Sequence, residues 1–186
     1  MKTIKLLSVL PLTGILFTSC SDDDDTPEEV NEEEVITTMT ITLTPQGGGD
    51  ANTFQTRDLD GDGPGEPVVT AGNLIGNTTY TGSIELLNET ETPAEDITEE
   101  IEEEDDEHQF IFEFTGAIDA VAATDSDDDG NPIGLAFELS TLTAGPTTLT
   151  VTLRHEPTKP NDGTLAGAGG ETDIAETFEF TVVDEL

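Results

Sequence analysis

The sequence predicts an all-β protein, an antiparallel β-sandwich with one short acidic helix. Three observations carry that expectation. Apolar residues recur with period two in short runs, clusters of Gly, Asp, Asn and Pro separate the runs, and only the stretch from Thr92 to Glu107 has helical spacing.

In chain order, Lys2 and Lys5 give a positive start, Leu6 to Phe17 is an apolar run broken by Pro11 and Gly14, and the small residues Thr18 and Ser19 precede Cys20. Residues 1–19 therefore read as a secretion leader. They are too short and interrupted for a spanning helix, which needs about 20 mostly apolar residues. Phe17-Thr18-Ser19-Cys20 resembles the lipobox of bacterial lipoproteins, with Phe17 where that family prefers Leu. The resemblance implies cleavage before Cys20 and acylation of its sulfur and amine, which anchors stably where a single chain binds only marginally. Ser21-Asp22-Asp23-Asp24-Asp25 looks like the acidic export tag of Bacteroidota surface lipoproteins, implying an outer-membrane lipoprotein exposed at the cell surface. Residues 20–34 then form an acidic tether too poor in apolar residues to bury anything, and residues 35–186 form the sandwich domain.

The strands follow. Met39, Ile41 and Leu43 alternate with Thr38, Thr40, Thr42 and Thr44, placing apolar groups on one face and threonines on the other. The pattern recurs at Tyr80, Ile84 and Leu86; at Phe110, Phe112 and Phe114; at Leu135, Phe137 and Leu139; at Leu149, Val151 and Leu153; and at Phe178, Phe180 and Val182. Weaker strands are expected around Phe54 and from Ile118 to Ala123. Turn clusters such as Gly47-Gly48-Gly49-Asp50 favour antiparallel connections with one apolar face per strand.

The helix is predicted from Thr92-Pro93-Ala94-Glu95, a capping box with Pro at the first helical position, and from Ile97 and Ile101 one turn apart. Ten of the thirteen residues from Glu95 to Glu107 are acidic, so like charges meet at Glu95 with Glu99 and at Glu100 with Glu104. Each such pair costs a few tenths of a kcal/mol, roughly. Bound cation would offset that repulsion; so, in part, would the helix macrodipole and solvent.

Two parsings of the sandwich arise. Met39 to Glu89 and Phe110 to Glu156 share an order of features, including Asp-rich turns and the Thr70-Ala71-Gly72 and Thr143-Ala144-Gly145 turns, which suggests a duplicated four-strand unit. Alternatively, Leu74, Thr78 and Tyr80 resemble the tyrosine corner of immunoglobulin-like and fibronectin-like sandwiches.

Charge narrows the function. With 42 Asp plus Glu against five Lys plus Arg, the net charge is -37. Residues 1–19 hold two of the basic residues and no acidic ones, so a chain starting at Cys20 carries -39. Nucleic acid and anionic membrane surfaces would repel it. Cys20 is the single cysteine, which excludes disulfides, thiolate metal sites and cysteine nucleophiles from the domain.

Three constellations suit cations. Asp58, Asp60 and Asp62 with Gly63, and Asp125, Asp127 and Asp129 with Gly130, match the opening of a calcium loop, in which alternate carboxylates converge on one hard cation. Val69 and Ala136 stand where an EF-hand needs its bidentate Glu, so these would be simpler turn sites of about millimolar affinity, or hairpin turns held by side-chain to backbone bonds. The third constellation centres on His108 and His155, the only histidines, each in phase with an apolar strand row. If their strands are antiparallel neighbours, both imidazoles reach one end of the sandwich. Glu104, Glu107, Glu156, Glu171 and Asp173 accompany them there. Two imidazoles and a carboxylate suit zinc or another borderline metal.

Haem is a competing use of two histidines, but its propionates would enter a strongly negative field, with Arg154 or Lys159 alone nearby. No G-x-S-x-G, H-E-x-x-H or phosphate loop occurs, so catalysis is not expected. A remaining class is a structural or interaction lipoprotein whose acidity only confers solubility.

The lipobox, the Asp tag, Glu32-Glu33-Glu34-Val35-Ile36-Thr37-Thr38, Glu107-His108-Gln109-Phe110 and Leu153-Arg154-His155-Glu156-Pro157 together resemble a family of small acidic Bacteroidota lipoproteins. Its members are often labelled type 1 periplasmic binding fold superfamily proteins, and the resemblance implies a TonB-dependent outer-membrane receptor as partner. The labelled fold requires two α/β lobes, whereas the strand pattern here calls for a sandwich. The expected function is a lipid-anchored surface protein that binds zinc or calcium.

Overall fold

The computed structural model describes residues 34–60 and 65–184. The leader, Cys20, the tether through residue 33, and Asp62 lie outside the described residues. The domain's compact unit runs over Glu33–Leu186, so Glu34 belongs to it rather than to the tether.

The described elements are β1 (Thr38–Pro45), β2 (Asn52–Arg57), β3 (Val68–Thr70), β4 (Leu74–Ile75), β5 (Thr79–Asn88), β6 (Glu95–Asp96), α1 (Ile97–Glu103), β7 (His108–Thr115), β8 (Ile118–Ala123), β9 (Ala136–Thr141), β10 (Gly145–His155), α2 (Leu165–Ala168) and β11 (Glu171–Val183). One sheet runs β3-β2-β1-β5-β9-β8, with β6 paired to β5; the other runs β4-β11-β10-β7. Described pairings are antiparallel apart from β4 with β11. The sheets meet face to face: the Phe54 ring lies 5.6 Å from Phe178 and 4.8 Å from Phe180, and Phe112 lies 4.8 Å from Phe137. The protein is an all-β sandwich.

Alternation explains the core. Met39, Ile41 and Leu43 of β1 are fully buried while Thr40 and Thr42 stay partly open and Thr44 is exposed, the placement expected of β-branched residues on a half-buried pleat. Gly82 occupies the inward row of β5 opposite Phe137. A Cβ at Gly82 would enter the Phe137 ring, so the glycine makes room for the aromatic.

Tyr80 distinguishes the two parsings. Its hydroxyl accepts from the Ile75 N–H at 2.7 Å, tying β5 of one sheet to β4 of the other, as a tyrosine corner does. The halves are not arranged alike: β1 and β2 pair within one sheet, whereas β7 and β8 lie in different sheets.

Two local expectations are corrected. The helix begins at Ile97, not at Pro93, because the Asp96 side chain caps it by accepting from Thr98 N and residues 95–96 are drawn into pairing with β5. Ile97 and Ile101 are buried as expected, and the Thr98 hydroxyl accepts from Leu86 N at 2.9 Å, seating the helix on the end of β5. Phe114 is 37% exposed, near the end of the edge strand β7. The glycine-rich stretch Gly163 to Gly170 contains the one-turn helix α2, capped by Thr164.

Candidate metal centre

β7 and β10 pair in a register that sets Leu153 against Phe110 and, two residues on, His155 against His108. Because side chains alternate with period two, the histidines continue the inward rows begun by those apolar residues. His108 is fully buried and His155 is 4% exposed.

Asp173 arrives from β11 by a different route. Phe178, Phe180 and Val182 face inward, so regular alternation would send the odd-numbered Asp173 outward. Between β10 and β11 the register instead steps from Leu153 with Ile174 to Arg154 with Thr172, leaving Asp173 as the extra residue of a β-bulge. The bulge re-aims its side chain inward, where it is 0% exposed. Arg154 holds the approach: its Nε donates to Gly169 O at 2.7 Å, and its two Nη groups donate to Gly170 O and the Thr172 hydroxyl. Gly170 has φ +68°, and a Cβ there would collide with the His155 carbonyl oxygen.

His108 Nε2 stands 3.8 Å from Asp173 Oδ2, and His155 Nδ1 stands 3.5 Å from Asp173 Oδ1. The rings meet edge to face with centroids 4.7 Å apart. Those separations exceed the range of about 2.7–3.2 Å for an N–H···O bond. They are close to the roughly 3.3–3.4 Å between two donors on one tetrahedral zinc, each about 2.0–2.1 Å from the ion. Among the described residues, neither facing imidazole nitrogen has a hydrogen-bond partner.

The tautomer of His108 follows from its other nitrogen. Nδ1 lies 3.1 Å from Glu104 O at the end of α1, and a carbonyl only accepts, so Nδ1 carries the proton. Nε2 therefore presents its lone pair on the side of the ring that faces Asp173. Burial pushes the His108 pKa down, against the raising effect of the Glu104 bond and the Asp173 charge. The neutral ring is the form that ligates metal, and a backbone carbonyl on the second nitrogen is the usual support for a ligating imidazole.

Three groups of potential ligand atoms fall within 4.8 Å of one another: His108, His155 and Asp173 at the centre; Glu34, Glu104 and His108 on one side; and Glu107, His155 and Glu156 on the other. Glu104, Glu107 and Glu156 are exposed, so acidic groups lie at the surface beside the buried nitrogen donors. Glu171 pairs with His155 in register but is exposed and joins none of these groups.

The aspartate turns are held by side-chain to backbone bonds, the hairpin reading given above. Asp125 accepts from Gly134 N at 2.7 Å and Ala136 N at 2.9 Å. Asp127 accepts from Asp129 N and Asn131 N and meets Lys159 Nζ at 3.3 Å. Their oxygens close a hairpin between β8 and β9, and Asp129 does not converge with them. Asp58 accepts from Asp60 N, and Asp60 from Gly65 N, the bonding of an Asp-rich turn. The third member, Asp62, lies outside the described residues.

Sequence reasoning missed Glu34, whose place at the end of an acidic run made it look like tether. Its carboxyl hydrogen-bonds Glu100, and its pKa is pushed up to about 7 by burial first, then by Glu100, Glu104 and Asp173. Comparison with protein-family models, curated proteins and solved structures gave no match.

Proposed function

We propose that this chain is a binding protein for a divalent transition metal of the zinc class, held by His108, His155 and Asp173. The observation that carries the reading is the pair of buried imidazole nitrogens facing one carboxylate at 3.8 and 3.5 Å without hydrogen-bond partners for those nitrogens. Two nitrogen donors favour zinc over calcium, which takes oxygen ligands. The separation of 4.7 Å between ring centroids leaves no gap for a porphyrin plane between two axial imidazoles, which disfavours haem. Arg154 and Lys159 are also engaged by the protein itself, with Gly169, Gly170 and Thr172 and with Asp105 and Asp127.

The physiological setting belongs to the same proposal: a lipid anchor on Cys20 would display the site at the outer-membrane surface beside a TonB-dependent receptor. The large negative charge raises the local cation concentration, with a reach of about 8 Å at physiological ionic strength. Calorimetric titration of the full chain with zinc and with calcium tests the binding. One tight zinc site, lost in His108→Ala and in His155→Ala, is expected. Zinc binding unchanged in both variants would overturn the assignment and favour a structural or interaction role.

A further inference from the structure

Lys159 and Asp127 meet where two connections come together, the one between β10 and β11 and the one between β8 and β9. Their side chains are almost closed to solvent, 6% and 1% exposed, and Lys159 Nζ stands 3.3 Å from Asp127 Oδ2. Lys2 and Lys5 lie in the leader, so Lys159 carries the only side-chain amine of the domain. The contact is a poor ion pair. A charge-assisted N–H···O bond measures about 2.7–2.9 Å, and the shorter bond of Nζ, 2.6 Å, goes to the backbone carbonyl of Asp105. Two covered charges that meet loosely leave part of their desolvation cost unrecovered.

The surroundings hold both groups in place. On either side of Lys159, Thr158 N donates to Ala168 O at 2.7 Å and Asn161 Nδ2 donates to Gln109 Oε1 at 2.6 Å. The second oxygen of Asp127, Oδ1, accepts from Asn131 N at 2.7 Å and from Asp129 N at 3.1 Å. An amine beside one carboxyl oxygen and backbone donors on the other are the parts of an acyl-transfer centre, a positioned nucleophile and holders for an oxyanion.

We infer that Lys159 and Asp127 join as a side-chain amide, a covalent cross-link between the two connections. Transfer of one proton from the ammonium to the carboxylate gives a neutral amine and a neutral carboxyl. The Nζ electron pair then bonds to Cγ, and the charge developing on Oδ1 meets the Asn131 and Asp129 N–H groups. As the carbonyl re-forms, the bond from Cγ to Oδ2 breaks. That oxygen leaves as water with two of the three ammonium hydrogens, and the third stays on the amide nitrogen. Both charges are cancelled, and no oxidant, reductant or further reactant enters. The product braces a domain that has no cysteine for a disulfide and restricts the unfolded chain as a disulfide does. It does not depend on the metal reading.

Tryptic digestion of the full chain, folded and then denatured, tests the cross-link. Trypsin cleaves after Arg57 and Arg154 but not at Lys159, which precedes Pro160, so Asp127 falls in residues 58–154 and Lys159 in residues 155–186. The two peptides are expected as one species under denaturing conditions, lighter than their sum by one water, with fragmentation placing the bond at Lys159 and Asp127. Lys159→Arg, which keeps the charge, and Asp127→Ala should each release them separately. Separate peptides from the unsubstituted chain would overturn the cross-link. So would a joined species that persists in Lys159→Arg, and one lighter by ammonia and linked at Asn131 would overturn Asp127 as the acceptor.

Discussion

His108 and His155 are directly opposed across β7 and β10, one opening its strand and the other closing its own, with ring centroids 4.7 Å apart. Antiparallel pairing alone delivers both imidazoles to one end of the sandwich, and the β11 bulge adds Asp173.

Zinc should stabilise the folded chain. At free zinc about 100 times the dissociation constant, the linkage is worth about 2.7 kcal/mol. A thermal melt should then shift upward by about 5–10 °C, given roughly 2–4 °C per kcal/mol for a domain of this size. His108→Ala should abolish the shift, read by differential scanning calorimetry with and without a chelator.

Asp173→Asn separates binding from folding. The amide keeps the size and shape of the carboxylate without its charge, so the metal-free sandwich should stay folded. Zinc affinity should fall by more than about 100-fold, since changes outside the ligand set alone cost roughly 10–100-fold. Urea unfolding of the metal-free protein and zinc titration read the two effects. A folded variant that binds zinc as tightly as the unsubstituted chain would remove Asp173 from the ligand set.

Arg154→Lys should weaken zinc without unfolding the sandwich. Lysine cannot reproduce the fork that holds Gly169, Gly170 and Thr172, so the bulge loses definition and affinity should drop roughly 10–100-fold. An unchanged far-ultraviolet circular dichroism spectrum checks that the fold persists.

Gly82→Ala should destabilise the domain by about 1–3 kcal/mol through overpacking against the Phe137 ring. A lower urea midpoint at unchanged slope is the expected signature.

The Glu89 carboxyl is held at about 2, chiefly by its hydrogen bonds from Arg57 and then from Thr38. A depressed folded-state value means the ionised form is favoured by folding. Its contribution is present above the ordinary carboxyl value near 4.5 and is lost as pH falls through about 2. In Arg57→Ala, the Glu89 carboxyl carbon should titrate closer to that ordinary value in an NMR pH series.

Much of the fold was legible because strand alternation is local. Met39, Ile41 and Leu43 declare a buried face without reference to any partner, and β8 was foreseen over its observed span from Ile118 to Ala123. The start of α1 was misread because Thr92-Pro93-Ala94-Glu95 satisfies a local capping rule, while pairing of residues 95–96 with β5 claims the first turn. Phe114 was misread because its parity is right but its cover is missing.

The same division runs through the candidate site. From the sequence alone follow the sandwich class, the large negative charge, and the placement of His108 and His155 in phase with apolar rows. Asp58, Asp60, Asp125 and Asp127 matched a calcium motif by spacing, yet spacing does not reveal whether an oxygen is already used by a backbone N–H. Only the tertiary structure decided that those oxygens stabilise turns, that a register step turns Asp173 inward, and that Glu34 reaches His108. Period-two alternation is a property of one strand, whereas a bulge and a ligand set depend on which chain segments lie beside one another.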